Sequence, residues 1–541
     1  MAMCPARMHL VLELFLEQLA LLTDPTGPSY TEAFGLLERL TEIRGFMLIF
    51  DCPEPEAIMS SLVTTCMASA RGASRVKAAT DAYSQLEHLL APLLTNILGE
   101  AGPKMHRGAS WQADEIPTKA LSELLEELMH VKRSACAGLV RRVLGGLAQR
   151  SAALPVNDYL NKALFADGME PKPGDKTGYN MSQERLEGLL CATYELYSIQ
   201  PSLVARVLPN LQADLQNANP DRRRATTAVI GQILAHPGEA PMASLVDRFQ
   251  ERLGDADDGV RMTALEGTGA ILHSAASNES VLGTAEVVRE KMADRCLDPN
   301  DAIRLRAVEI VTEVALGSEQ GLILTLPILP DACRRILDKK PRVREACAEA
   351  SAQIYAKHVL PRWIEGKYKE AQELIWIPQL LCEAYAAFCS SRLGYVAQLE
   401  EHIEQHVLGC GAQLSEAQRA LAMLGFYSSA AQGGEAAQHG LSVLFAKKRD
   451  AHSVLHHFVK TRVSKASPLA ADALALVPQA EPQLEVLEQL AKLSPSMDDK
   501  YSRPEVILAH VRSLDAVRDK ALWKQLAQLL DPLAIESTGG S

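Results

Sequence analysis

An all-α solenoid superhelix is the fold this sequence predicts, on three observations. First, one short motif recurs as Asp255-Ala-Asp-Asp-Gly-Val260-Arg261, Asp298-Pro-Asn-Asp-Ala-Ile303-Arg304 and Asp338-Lys-Lys-Pro-Arg-Val343-Arg344. Each copy has an Asp, four residues, a β-branched aliphatic and then an Arg, and the arginines lie 43 and 40 residues apart. A weaker match at Asp221-Arg-Arg-Arg224 places another arginine 37 residues before Arg261. Second, apolar residues flank the motif at helical spacing: Leu245, Val246, Phe249 and Leu253 before it, Val260, Ala264, Thr268 and Ile271 after it. Third, no stretch has the alternation of a strand. A period near forty with two helical patterns in each period is the signature of a HEAT/armadillo-type α-solenoid.

The physics of one unit follows from its residues. Asp255 ends the first helix in a short polar turn, and Asp257 or Asp258 can cap the amides that open the second. Arg261 falls in the first turn of that second helix, where the helix dipole disfavours a cation. A carboxylate partner is therefore expected, and the Asp–Arg ladder that HEAT arrays build between neighbouring repeats would supply it. One hairpin cannot bury its own apolar stripe, so it must stack on its neighbours. Asp255, Arg261, Asp298, Arg304, Asp338 and Arg344 are accordingly expected to be structural.

Taken in order, the chain divides into N-terminal helical repeats (1–165), a loop insertion (166–181), HEAT repeats with the Asp–Arg signature (182–362), C-terminal helical repeats (363–532) and a disordered tail (533–541). Helices are expected at 10–22, then at 30–50 with a stripe of Phe34, Leu37, Leu40, Ile43 and Met47, and at 55–70 and 76–98. A loop holding Gly102, Pro103, Gly108 and Pro117 precedes helices at 119–130 and 134–149. Helices run from 183 to 355 with short connections, and again from 376 to 465 with a break at Gly433-Gly434. The 468–532 stretch is helical but lacks the signature.

Composition bounds the function. A solenoid grows by adding repeats, so 541 residues need not mean several globular domains. Residues 10–22 are interrupted by Glu13, Glu17 and Gln18, so they read as an amphipathic helix and not as a membrane span or signal peptide. The eleven cysteines are scattered with no Cys-x-x-Cys pair, which fits reduced, buried thiols in a soluble intracellular protein. A net charge of −12 argues against indiscriminate DNA binding through the whole surface.

No active site is expected. Gly174-Asp-Lys-Thr177 ends a glycine-containing stretch, but Asp175 intrudes between Gly and Lys and no strand precedes it, which does not suit a phosphate loop. His402 and His406 share one helical face, as a metal pair would, but the intervening Glu404 is misplaced for a zincin and no third ligand is evident. His452, His456 and His457 read as surface residues in the same way. No catalytic residue, metal or cofactor is assigned. Three basic clusters, Arg222-Arg-Arg224, Lys339-Lys340 with Arg342, and Lys447-Lys-Arg449, sit at expected helix junctions. Such junctions align along a solenoid edge and could receive an acidic partner, although ordinary charged turns account for the first and third equally well.

Several segments go beyond a generic repeat. Leu36-Leu-Glu-Arg-Leu-Thr-Glu-Ile-Arg44 with Phe50-Asp51 comes first, then Leu189-Leu-Cys-Ala-Thr-Tyr-Glu-Leu-Tyr-Ser-Ile-Gln-Pro201, Val207-Leu-Pro-Asn-Leu211 and Arg224-Ala-Thr. Arg248-Phe-Gln-Glu-Arg-Leu-Gly-Asp255, Ile336-Leu-Asp-Lys-Lys-Pro-Arg-Val-Arg344 and Trp376-Ile-Pro378 ahead of Tyr385 continue the series. In this order, over residues 10–460, the chain resembles the precocious-dissociation-of-sisters (Pds) family of sister-chromatid cohesion proteins. The resemblance implies a nuclear, non-enzymatic regulator that binds cohesin's kleisin subunit. It also implies a role in recruiting a Wapl-like releasing factor and the cohesin acetyltransferase, with chromatin reached indirectly and no membrane. Lys339, Lys340, Trp376 and Tyr385 lie beside the family-like segments and are the expected partner contacts. Family members are longer than this chain. The Ala-Pro-Asp segment through which they engage tyrosine motifs of Wapl and sororin has only Cys4-Pro-Ala6 as a counterpart. The competing readings are another HEAT scaffold, for a phosphatase or for nuclear transport, and a helical metalloenzyme using His402 and His406.

Overall fold

A computed structural model describes residues 118–129, 137–149, 153–165, 182–236, 243–367, 369, 372–391, 393–409 and 414–446, with short stretches between 17 and 95. The expected helices at 10–22, 30–50, 55–70 and 76–98 fall mostly outside the described residues. The loop at 166–181, the Lys447 cluster, His452, His456, His457, the 468–532 helices and the tail lie wholly outside them. No strand occurs among the described residues. The chain forms two compact units, Met1–Lys291 and Met292–Ser541.

The first unit contains α1 (Thr118–Met129), α2 (Ala137–Ala148), α3 (Ala153–Phe165), α4 (Gln183–Ile199), α5 (Leu208–Asp214), α6 (Pro220–Ala235), α7 (Ala243–Glu251) and α8 (Asp258–Ala275), and α9 (Glu279–Met292) runs to its end. Helix starts are set by short polar side chains. Ser182 accepts from the Arg185 amide, Asn219 from that of Asp221 with Pro220 behind it, and Asp257 from that of Val260. Of the two cap candidates for α8, Asp257 is therefore the one used. The helices α6 and α8 cross where Gly231 meets Gly267. A Cβ on Gly231 would stand 2.9 Å from the Gly267 Cα, and the Phe249 ring of α7 closes the same gap. Buried hydroxyls are satisfied inside their own helices, Thr193 on the Leu189 carbonyl and Thr268 on that of Ala264.

The second unit continues with α10 (Asp301–Gly317), α11 (Glu319–Thr325), α12 (Leu329–Cys333), α13 (Pro341–Ile354), α14 (Leu360–Ile364), α15 (Trp376–Phe388), α16 (Leu393–His402) and α17 (Glu416–Ala431). Asn300, Ser318 and Ser415 cap α10, α11 and α17. The helix after α17 starts beyond Gly433-Gly434, where the sequence places a break. Its inner faces are aliphatic: Ile303, Ala307, Ile310, Val311 and Val314 on α10, Val343, Cys347, Ala350 and Ile354 on α13. Each fully buried Val, Leu or Ile contributes about 1.5–3 kcal/mol over leaving it in water. Two π-turns, Tyr355–Val359 and Ile403–Val407, pack on each other. The first turns the buried His358 so that Nε2 lies 2.9 Å from the Ala315 carbonyl.

Candidate functional site

The six signature residues are all buried, Asp255 and Arg261 in the first unit and the other four in the second, as a polar spine within the aliphatic core of each. In every copy the arginine folds back on its own turn. Arg261 Nη1 donates to the Asp255 carbonyl at 2.9 Å, Arg304 Nη1 to that of Asp298 at 2.7 Å, and Arg344 Nη1 to that of Asp338 at 2.7 Å. The aspartates fix the same turn from the other side, each accepting the amide two residues on, from Asp257, Asn300 and Lys340. The remaining guanidinium nitrogens reach further. Within the second unit Arg304 forks Asp338, Nε to Oδ2 at 2.8 Å and Nη2 to Oδ1 at 3.0 Å. Within the first, Arg223 forks Asp255 at 2.7 and 3.0 Å. Arg261 also pairs with Asp258 of its own helix at 2.5 Å.

The Arg223 fork corrects the register of the weak copy. Arg223 Nη1 donates to the Asn217 carbonyl six residues back, as the other arginines do, so Asn217 and Arg223 are the repeat-equivalent pair, not Asp221 and Arg224. Arg222 is half-buried and committed to its own unit. It binds Asp214 at 2.7 Å, donates to the Leu164 carbonyl and lies over the Phe165 ring. Only Arg224 of that cluster faces outward, paired with Asp221 at 3.1 Å.

A second arginine enters the spine that the repeat did not reveal. Arg252 and Arg295, three residues before their aspartates, bind Asp255 and Asp298 at 2.8 and 2.7 Å. Arg-x-x-Asp was readable at 252–255, 295–298 and 335–338, but short charged pairs are too common to single out. Burial pushes the Asp255 and Asp338 carboxyls up. The guanidinium hydrogen bonds, the turn amides and the neighbouring arginine charges outweigh it and leave both below the usual carboxylate range. Arg344 sits between the Phe388 and Tyr395 rings, 5.4 and 5.2 Å from their centroids, and the rings meet edge to face.

The expected partner contacts divide. Lys339 and Lys340 are exposed at the turn before α13, Lys340 with Asp301 at 3.5 Å. Trp376 is partly exposed at the start of α15, and that helix packs against the Arg334–Leu337 turn just ahead of Lys339. Tyr385 does not share this surface. It lies one and two helical turns beyond Leu381 and Ile377 on the inward face, is fully buried, and donates to Glu400 at 2.8 Å. Burial and Glu400 together push its phenol well above the ordinary tyrosine value. The imidazoles of His402 and His406 stack with centroids 6.1 Å apart, and among the described residues no group of three ligands that could hold a metal is found. Among the described residues no helix is long and apolar enough to cross a membrane.

A buried Asp–Arg spine in stacked helical hairpins defines a HEAT-type solenoid. The family model for the sister chromatid cohesion protein PDS5 matches residues 5–536, and the chain belongs to that family. It is 22% identical over 373 residues to the PDS5 homolog B-B of Xenopus laevis and to the PDS5 homolog B of Homo sapiens, covering 68% of this chain and 23% of each relative. The chain thus spans about a quarter of the length of these curated relatives. A chain in a solved structure of the Pds5–Scc1 complex superposes with a TM-score of 0.54 at 16% identity, covering 98% of this chain and 78% of that one. The shared fold is the helical solenoid.

Proposed function

We propose that this protein is a non-enzymatic scaffold that regulates cohesin on chromatin by holding the kleisin subunit. The observation that carries the reading is membership of the PDS5 family over nearly the whole chain. A solenoid suits the task because rigid stacked hairpins offer a long continuous surface to an extended or helical segment. The contacts belong to one exposed edge, made of Lys339 and Lys340 and of Trp376, which opens the α15 helix packed on the Arg334–Leu337 turn just ahead of them. Tyr385 serves that edge from inside, by seating α15 on Glu400. The net charge of −12 favours reaching chromatin through protein partners. A nuclear location and contacts with a Wapl-like releasing factor and the cohesin acetyltransferase belong to the same reading.

Affinity capture of the tagged full chain from its own organism tests it. Recovery of cohesin with its kleisin is the expected result. Recovery of a phosphatase catalytic subunit or a small GTPase without cohesin would overturn it.

A further inference from the structure

The two signature turns of the second unit share a feature that their structural role does not use. The residue before each buried aspartate is a leucine pointing to solvent, Leu297 at 64% exposure and Leu337 at 46%. Each ends a 3₁₀ turn, Ala293–Leu297 and Arg334–Leu337, and the aspartate next to it is turned inward onto arginine. Inward Asp thus forces outward Leu, and the repeat places two such leucines in equivalent positions. A single exposed leucine on a surface needs no explanation. Two at the same position of successive repeats, on turns joined by the Arg304–Asp338 fork and the Lys340–Asp301 contact, form a fixed pair.

The surroundings of the pair are charged on one side. Arg334, Lys339, Lys340 and Arg342 are all exposed around the second turn. Lys340 shares Asp301 and Arg334 lies 3.7 Å from Asp331, while Lys339 and Arg342 form no ion pair among the described residues. The first turn instead exposes Asp294 and Asp301. Packed helices lie about 8–10 Å apart, close to one turn of a polyproline II segment, three residues at about 3.1 Å each, which brings side chains i and i+3 to the same face.

From this register we infer that the Leu297–Leu337 edge docks an acidic peptide segment in polyproline II conformation carrying apolar side chains three residues apart, with its carboxylates beside Leu337. The inference rests on the scaffold reading above and names the chemistry of the segment such a scaffold would hold. Charge complementarity at the second turn selects the acid, and the repeat spacing selects the register.

Fluorescence anisotropy with the full chain and labelled peptides tests it. The probes are a peptide with leucines at i and i+3 flanked by aspartates, the same composition with leucines at i and i+1, and a lysine-flanked version. The i, i+3 acidic peptide is expected to bind at least tenfold tighter than either control and to weaken with salt. Leu297→Ser/Leu337→Ser should remove that preference, and Lys339→Glu should weaken binding at least tenfold, with unchanged thermal melts showing that the surface variants fold. Equal affinity for the three peptides, or binding indifferent to these substitutions, would overturn the proposal. Cohesin capture that persists in Leu297→Ser/Leu337→Ser would discard this docking edge and leave the cohesin reading intact. Register-specific peptide binding without cohesin capture would do the reverse.

Discussion

Arg304 reaches from the first turn of α10 to Asp338 at the turn before α13, and its fork of 2.8 and 3.0 Å joins two consecutive repeats through a pair almost closed to water. A buried pair is expensive to break because the partner left behind keeps its charge. Asp338→Ala should therefore cost about 3–5 kcal/mol, and Arg304→Ala a similar amount, while Arg304→Met/Asp338→Leu should cost less than either alone. Urea denaturation of the four proteins ranks the three losses against the parent. A loss below about 1 kcal/mol for Asp338→Ala would mean the pair behaves as a surface salt bridge.

The same carboxylates set a pH dependence. The Asp255 and Asp338 carboxyls are held below their unfolded value of about 3.9. A depressed folded pKa gives stabilisation that is complete above the unfolded value and is lost as pH falls through the folded one. Urea midpoints should hold steady from pH 7 to 5 and then fall below about pH 4. Asp338→Asn should show a shallower acid limb, and parallel limbs for the two proteins would contradict the assignment.

The spine was legible because HEAT repeats write it into the sequence. Asp and Arg recur at fixed spacing on a background of aliphatic residues, and a buried charge needs a partner wherever it falls. The register of the weak copy is not legible, because three arginines stand in a row at 222–224 and only the carbonyl of Asn217 tells which one folds back. The burial of Tyr385 is hard to read for a different reason. Its ring is amphipathic, and the spacing from Ile377 and Leu381 that buries it competed with the polar hydroxyl that suggested a surface. The aromatic clamp on Arg344 joins α13 to residues 44 and 51 positions further on, a contact no local pattern announces.

The Gly231–Gly267 crossing leaves no room for side chains. Gly231→Leu should force α6 and α8 apart at a cost of about 1–3 kcal/mol or more. A thermal melt reads the loss, and an unchanged midpoint would mean the crossing is looser than the 2.9 Å approach implies.

Burial pushes the thiol of Cys296 up to about 12 and that of Cys333 up to about 11, and Cys347 is raised well above its ordinary value. Thiolate is the reactive form. Iodoacetamide at pH 8 should leave these three unmodified in the native protein and label them in urea. Peptide mapping gives the readout, and rapid native labelling at any of them would contradict the packing.

The proposed role turns on whether the Lys339 edge of this solenoid holds a kleisin. The most direct measurement is titration of the purified chain against the kleisin of the same organism, beside Lys339→Glu/Lys340→Glu. Binding at micromolar Kd or tighter, about −8 kcal/mol, that the charge reversal abolishes is the expected result. Absence of binding by the unmodified chain would contradict the kleisin assignment, and binding untouched by the reversal would contradict the edge.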